Sequence, residues 1–138
     1  MKFILHLKEE DYQSYFELIN EWKVSNFSNK IFCDFLNHLD KNHQIYGIFE
    51  KNKLLGAATV LFERKMLRDG STVMHIEDVV VRSDQRGKNI GKELIQFLVD
   101  LAKQRDCYKI ILNCDETVKN FYEKCGFTNK NMEMSIYF

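Results

Sequence analysis

Apolar positions along this chain switch between the period of a helix and that of a strand, and the switches divide it into elements. Phe3 to Leu7 reads as a short strand. Tyr12, Tyr15, Phe16, Ile19 and Trp22 then recur three and four residues apart, which predicts a helix beginning near Glu9. Phe32, Phe35, Leu36 and Leu39 repeat the spacing for a second helix, with Ser28 as its N-terminal cap. Gln44–Glu50 and Leu54–Arg64 read as the strands of a hairpin around Lys51-Asn52-Lys53. A turn at Asp69-Gly70-Ser71 leads into a central strand from Val73 to Val81. Ile90, Leu94, Phe97, Leu98 and Leu101 then mark one face of a long amphipathic helix. Lys109 to Cys114 reads as another strand. Val118, Phe121, Tyr122 and Cys125 give a short helix stopped by Gly126, and Glu133 to Phe138 a closing strand. The order β-α-α-β-β-β-α-β-α-β predicts an α/β fold, a mixed central sheet flanked by helices.

Length and composition narrow the class. The 138 residues suffice for one domain and a single core, taken here as 1–138. Hydrophobic residues reach 45% and aromatic residues 13%, as in a globular chain. Twenty Lys plus Arg balance twenty Asp plus Glu, so net charge gives no case for nucleic acid or an acidic membrane surface. Basic clusters must then be local sites or solvated faces. Cys33, Cys107, Cys114 and Cys125 form no Cys-x-x-Cys pair and have no histidine at zinc spacing, which predicts no metal and a reduced, cytoplasmic setting. No apolar run is long enough for a signal peptide or a membrane span.

The chemistry concentrates between Met74 and Leu98. His75-Ile76-Glu77-Asp78-Val79-Val80-Val81 is β-branched and apolar apart from His75 and two adjacent acids. The loop after it reads Arg86-Gly87-Lys88-Asn89-Ile90-Gly91-Lys92 and opens the long helix. Backbone N–H groups in a first helical turn lack intrahelical partners, and the helix dipole adds partial positive charge. With three cations and two glycines, this corner is suited to phosphate. A P-loop needs four residues between its glycines and then Lys-Ser or Lys-Thr; here three separate Gly87 from Gly91, and Glu93 follows Lys92. The Gly-x-Gly-x-x-Gly dinucleotide pattern is also absent.

Arg86-Gly87-Lys88-Asn89-Ile90-Gly91 resembles the acyl-CoA loop of GNAT-type N-acetyltransferases, Arg/Gln-x-x-Gly-x-Gly/Ala, with Asn89 at the first family glycine. Asn enters left-handed backbone conformations more readily than most residues, so the departure is mild. Four further segments follow the order of one GNAT branch, the glucosamine 6-phosphate N-acetyltransferases: Glu63–Arg68, His75–Val81, Cys107–Glu116 and Phe121–Phe127. The resemblance is close from Leu54 onward and extends to the first fifty residues only in layout. It implies a GNAT fold, acetyl-CoA as co-substrate, an amino-sugar phosphate as acceptor, a homodimer, and a place on the route toward UDP-N-acetylglucosamine. It also implies that Val79, Val80 and Val81 meet the cofactor through their backbone and supply the oxyanion donor. Arg86 to Lys92 would hold its phosphates, and Tyr122 would protonate the departing thiolate. Lys65, Met66, Leu67 and Arg68 would meet the sugar phosphate, with Glu77, Asp78, Val79 and Asn113 around the sugar.

Acetyl transfer from a thioester to an amine needs a proton acceptor, an oxyanion donor and help for the leaving thiolate. Glu77 is the preferred acceptor or orienter of the amine; the bland alternative is an ion pair with Arg64 or Lys65 across the hairpin. Strand alternation predicts Glu77 and Asp78 on opposite faces, unable to act as a pair, and His75, Glu77 and Val79 on one face. His75 is expected to be a packed or hydrogen-bonded residue rather than a base. Asn113 stands where the family has Asp and cannot accept a proton at neutral pH. Glu77, water, or Asp115 two residues on (on the same strand face if the strand extends) would then take that role. Tyr137 replaces a basic family position near the partner's site. Two alternatives stay open: a GNAT enzyme for a protein amine or polyamine, and a non-catalytic acyl-CoA-binding module.

Overall fold

The computed structural model describes residues Met1–Phe138. Five strands form one sheet in the order β1-β2-β3-β4-β5: β1 (Lys2–His6), β2 (His43–Glu50), β3 (Lys53–Arg64), β4 (Thr72–Val81) and β5 (Cys107–Ile111). The first four pair antiparallel, and β4 pairs β5 in parallel. The β2–β3 turn uses Lys51 and Asn52 at φ 50° and 64°, the left-handed pair that a two-residue hairpin needs.

Helices cover both faces. On one face lie α1 (Tyr12–Asn20) and α2 (Asn29–Asn37), with Tyr15, Leu18, Ile19 and Phe32 packed on Ile45, Leu54, Ala57 and Val80. Ser28 caps α2, its hydroxyl accepting from Ile31 N–H at 3.1 Å. On the other face lies the long helix α4 (Ile90–Gln104). Its Leu94, Ile95, Leu98 and Ala102 meet Ala58, Val60, Met74 and Ile76, and the short helix α5 (Lys119–Lys124) adds Tyr122. Between β3 and β4 a single turn, α3 (Leu67–Gly70), is distorted by left-handed Arg68 and Asp69. The layering is that read from the periodicity.

Four expectations need correction. Trp22 lies two residues beyond α1 and is half exposed, so the helical stripe ends at Ile19. The fifth strand ends at Ile111, not Cys114, so Asp115 shares no strand face with Asn113. Asp115 instead shapes a turn, accepting from the N–H and hydroxyl of Thr117. Glu133–Phe138 forms no strand, although Met132, Met134, Ile136 and Phe138 alternate in the strand period and stand exposed. A strand needs a neighbouring edge to pair with, and this segment meets none within the chain.

The fourth concerns β4. Glu77 pairs with Thr59, yet Val80, three residues on, pairs with Ala57, only two residues back along β3. One extra residue is therefore bulged out, and Asp78 carries it at φ 51°. Asp tolerates this conformation better than most side chains, which is why the bulge falls there. The bulge shifts the alternation by one. Glu77 and Asp78 thus line the same cleft, while Val79 turns to the α4 side and Val80 to the α1–α2 side.

Candidate active site

The site forms where β4 and β5 part. Their parallel ladder ends at His75↔Ile111, so β4 runs on from Ile76 to Val81 with no strand along that edge. Backbone N–H and C=O groups of Val79 to Val81 on this edge are thus available to an extended ligand. Leu112 and Asn113 continue β5 past the fork, and Asn113 is exposed there.

One end of the fork is the anion corner. Gly87 at φ 79° and Asn89 at φ 62° and ψ 17° bend the chain into α4, so Asn89 adopts the left-handed conformation expected of it. A Cβ on Gly87 would meet nothing within 4 Å; its requirement is conformational. At Gly91 the requirement is space, because a Cβ would come within 3.2 Å of the Phe121 ring and 3.5 Å of Val81. Glu93 N–H is the first to close a helical bond, to Asn89 C=O at 2.9 Å. The N–H groups of Ile90, Gly91 and Lys92 therefore have no helical partner. Arg86, Lys88 and Lys92 are exposed around them. Donors, dipole and full charges converge at one point, an arrangement fitted to a pyrophosphate.

Tyr122 closes the α4 side of the fork. It is 9% exposed and packs edge-on to Phe121 and Phe127, at 5.0 and 5.9 Å between ring centres. Burial pushes its phenol up to about 12, with Cys114 and Cys125 adding to the rise. At neutral pH it is a proton donor.

On the opposite face lies a cleft of about 570 Å³, walled by Trp22, Phe27, Ile31 and Phe35 and floored by Tyr15, Thr59, Glu77 and Asp78. Neither carboxylate forms an ion pair, so the alternative of a salt bridge to Arg64 or Lys65 does not hold. Lys65 instead pairs with Glu63 at 3.7 Å, and His75 Nε2 meets Glu63 Oε1 at 2.9 Å. Those contacts hold the Glu63 carboxyl below its usual value, the His75 bond first. His75 is thus the hydrogen-bonded residue foreseen for it.

The structure does not bring every candidate together. Lys65 to Arg68 lie before β4, and the five residue steps from Thr72 to Glu77 span about 16 Å. Arg68 holds its guanidinium 4.9 Å from the centre of the Tyr108 ring, and Met66 and Leu67 project into solvent. None of the four lines the cleft. The sequence reading missed Tyr15, Thr59 and the aromatic wall as site residues. The two adjacent acids in an otherwise apolar strand were the one local signal of the bulge.

Comparison with known proteins decides the family. The model of the acetyltransferase (GNAT) family matches residues 2–127. The chain belongs to the GNAT acetyltransferase family. This GNAT chain is 49% identical over 99 residues to a glucosamine 6-phosphate N-acetyltransferase of Arabidopsis thaliana, covering 70% of the chain and 66% of the relative. It is 35% identical over 130 residues to glucosamine 6-phosphate N-acetyltransferase 1 of Dictyostelium discoideum, covering 91% and 83%. The chain spans about half to two thirds of the length of its plant relatives. Its fold superimposes on the crystal structure of glucosamine-6-phosphate N-acetyltransferase from Arabidopsis thaliana with a TM-score of 0.91, at 36% identity, covering 100% of this GNAT chain and 99% of the other.

Proposed function

We propose that this GNAT chain transfers the acetyl group of acetyl-CoA to the 2-amino group of glucosamine 6-phosphate, giving N-acetylglucosamine 6-phosphate and CoA. One observation carries the reading: the unpaired edge of β4 runs between the anion corner at Arg86–Lys92 and two carboxylates in a cleft. The relatives' names supply the substrate.

Arg86, Lys88, Lys92 and the free amides of the first turn of α4 hold the coenzyme's phosphates, which leads its pantetheine arm along Val79–Val81. An N–H of that edge faces the thioester oxygen and stabilises the oxyanion as it forms. Glu77, unpaired and open to the cleft, takes the proton of the ammonium, directly or through water, so that the nitrogen lone pair attacks the carbonyl carbon. The C–S bond then breaks as Tyr122 gives its proton to the thiolate. The second proton lost by the acylated nitrogen returns through water to the Tyr122 oxygen, leaving the neutral amide, free thiol and restored phenol. Asn113 at the mouth of the fork orients by hydrogen bonding and takes no proton.

The protein acts as a homodimer in this reading. Its support is the exposed alternation of Met132, Met134, Ile136 and Phe138, a strand pattern unpaired within the chain. Four free cysteines support a reducing, cytoplasmic setting. No helix is long and apolar enough to cross a membrane.

A second reading is the same transfer to another primary amine. The apolar walls of the cleft and the distance of Arg68 from it favour this. A thiol-release assay with acetyl-CoA against phosphorylated and unphosphorylated amino sugars, polyamines and a peptide amine separates the two. Release with glucosamine 6-phosphate far above the rest supports the first; release with another amine instead contradicts it.

A further inference from the structure

The anion corner is held by its two ends more than by bonds of its own. From Arg86 to Asn89 its backbone N–H groups make a single hydrogen bond, from Lys88 to the Gln85 carbonyl at 3.4 Å. Regular helix bonding begins only where Glu93 N–H meets Asn89 C=O. At one end, then, the corner is fixed by α4. At the other it is fixed by a short 3₁₀ turn, Ser83–Gln85, which joins β4 to Arg86. Where that turn sits, Arg86 and the amides beyond it follow.

Three other parts of the chain converge on this turn. Arg82 N–H donates to the Leu55 carbonyl of β3 at 2.8 Å. Asp84 accepts a two-pronged bond from the Arg82 guanidinium at 3.1 and 3.0 Å and pairs with Lys53 at 3.6 Å. The third contact comes from α1. Glu21, the residue that caps the C-terminal end of that helix, accepts from Ser83 N–H at 2.9 Å, and the Ser83 hydroxyl lies 3.4 Å from its other oxygen. The first N–H of a helical turn has no partner inside it, and Glu21 provides one. Ion pairs between exposed side chains, such as Lys53 with Asp84, fix little. A carboxylate on a backbone N–H holds the main chain itself, through a charged hydrogen bond. Trp22 and Lys23 follow Glu21 directly and line the acceptor cleft. Neither Glu21 nor Ser83 takes part in the transfer chemistry.

We propose that Glu21 is a positioning residue for the coenzyme. By holding Ser83 N–H it fixes the turn that sets Arg86 and the corner amides against the phosphates. It does so from the helix that walls the acceptor cleft, so a determinant of coenzyme affinity lies on α1, outside the glycine loop. The inference rests on the Arg86–Lys92 corner being the coenzyme site.

Calorimetric titration with CoA, beside steady-state kinetics, tests it. Glu21→Ala should raise both Kd for CoA and KM for acetyl-CoA about fivefold, with KM for glucosamine 6-phosphate within about twofold of wild type. Glu21→Gln keeps an oxygen that accepts from Ser83 N–H and should bind CoA within about twofold of wild type. Ser83→Pro deletes the N–H at a first-turn position that suits proline, and should match Glu21→Ala. Combined with Glu21→Ala, it should add less than about twofold. An unchanged Kd in Glu21→Ala, a Gln variant as weak as Ala, equal rises in both KM values, or full additivity with Ser83→Pro would overturn the positioning role. If Ser83→Pro does not fold, the comparison of Glu21→Ala with Glu21→Gln decides by itself. A wild type that binds no CoA overturns the coenzyme corner together with this inference. A wild type that binds CoA no more tightly than Glu21→Ala overturns this one alone.

Discussion

Glu77 and Asp78 are adjacent in the chain and yet line one cleft, because the bulge at Asp78 cancels the alternation that would have separated them. The same extra residue rotates Val79 and Val81 to the α4 side, so one defect in β4 arranges both the acceptor floor and the edge beside the coenzyme corner.

Removing the proton acceptor should cost rate more than binding. Glu77→Gln keeps the shape of the side chain and is expected to lower kcat about 100-fold with KM for acetyl-CoA unchanged. A kcat within threefold of wild type, measured by thiol release, would move the base elsewhere.

Tyr122 makes the matching prediction on the leaving-group side. Tyr122→Phe should lower kcat about tenfold or more, the loss shrinking when the thioester carries a better leaving group that needs no proton. Because the phenol stays protonated up to about 12, wild-type kcat should show no alkaline fall from this residue below about pH 11. A basic limb near pH 8 that vanishes in Tyr122→Phe would contradict the account.

Tyr15 and Tyr122 also set the alkaline stability. Both have folded pKa values of about 12, above the ordinary value of 10.0, so the folded state binds their protons more tightly than the unfolded state does. Their stabilisation is complete below pH 10 and is lost as pH rises from 10 to 12, roughly 2–3 kcal/mol for each group. Denaturant melts across that window should show the fall, and the Tyr15→Phe/Tyr122→Phe double variant should flatten it. A slope unchanged in the double variant would show that other groups govern alkaline unfolding.

Asn113 lies past the end of β5 rather than on it, at the mouth of the fork. Asn113→Asp restores a carboxylate there, and kcat is expected at or above wild type across pH 6–9. A large loss near neutrality would mean that the amide itself is required.

Arg68 is set on Tyr108, away from the cleft, and its role is separable from Glu77. On the sugar-phosphate reading, Arg68→Ala raises KM for glucosamine 6-phosphate about tenfold and leaves KM for acetyl-CoA alone. Equal changes, or none, would remove it from the site. Deleting residues 132–138 should likewise convert a dimer to a monomer in light scattering; a truncated chain that stays dimeric refutes pairing through that segment.

What the sequence disclosed follows from where the physics is local. The anion corner was legible because glycine, asparagine and cations at the start of an amphipathic helix have few other uses, and Asn89 takes the backbone conformation foreseen for it. The Ser28 cap and the Lys51-Asn52 turn were legible for the same reason. The bulge was not, since register is fixed by pairing with β3, and a one-residue slip leaves hydrophobic content unchanged. Tyr15 and Thr59 were hidden because each reads alone as ordinary helix face and strand core; only α1 packing over β3 joins them. At Glu133–Phe138 the alternation was legible as a pattern, but the expected strand does not form, because alternation says nothing of whether an edge lies within reach to pair with it.

The central claim is that thioester and amine meet along the free edge of β4, and a crystal structure with both CoA and glucosamine 6-phosphate bound tests it most directly. The account predicts the pyrophosphate on the amides of Ile90 to Lys92, the pantetheine sulfur near the Tyr122 hydroxyl, and the amino group in the cleft beside Glu77 and Asp78. Coenzyme density away from the Arg86–Lys92 corner, or a sugar bound outside that cleft, would contradict it.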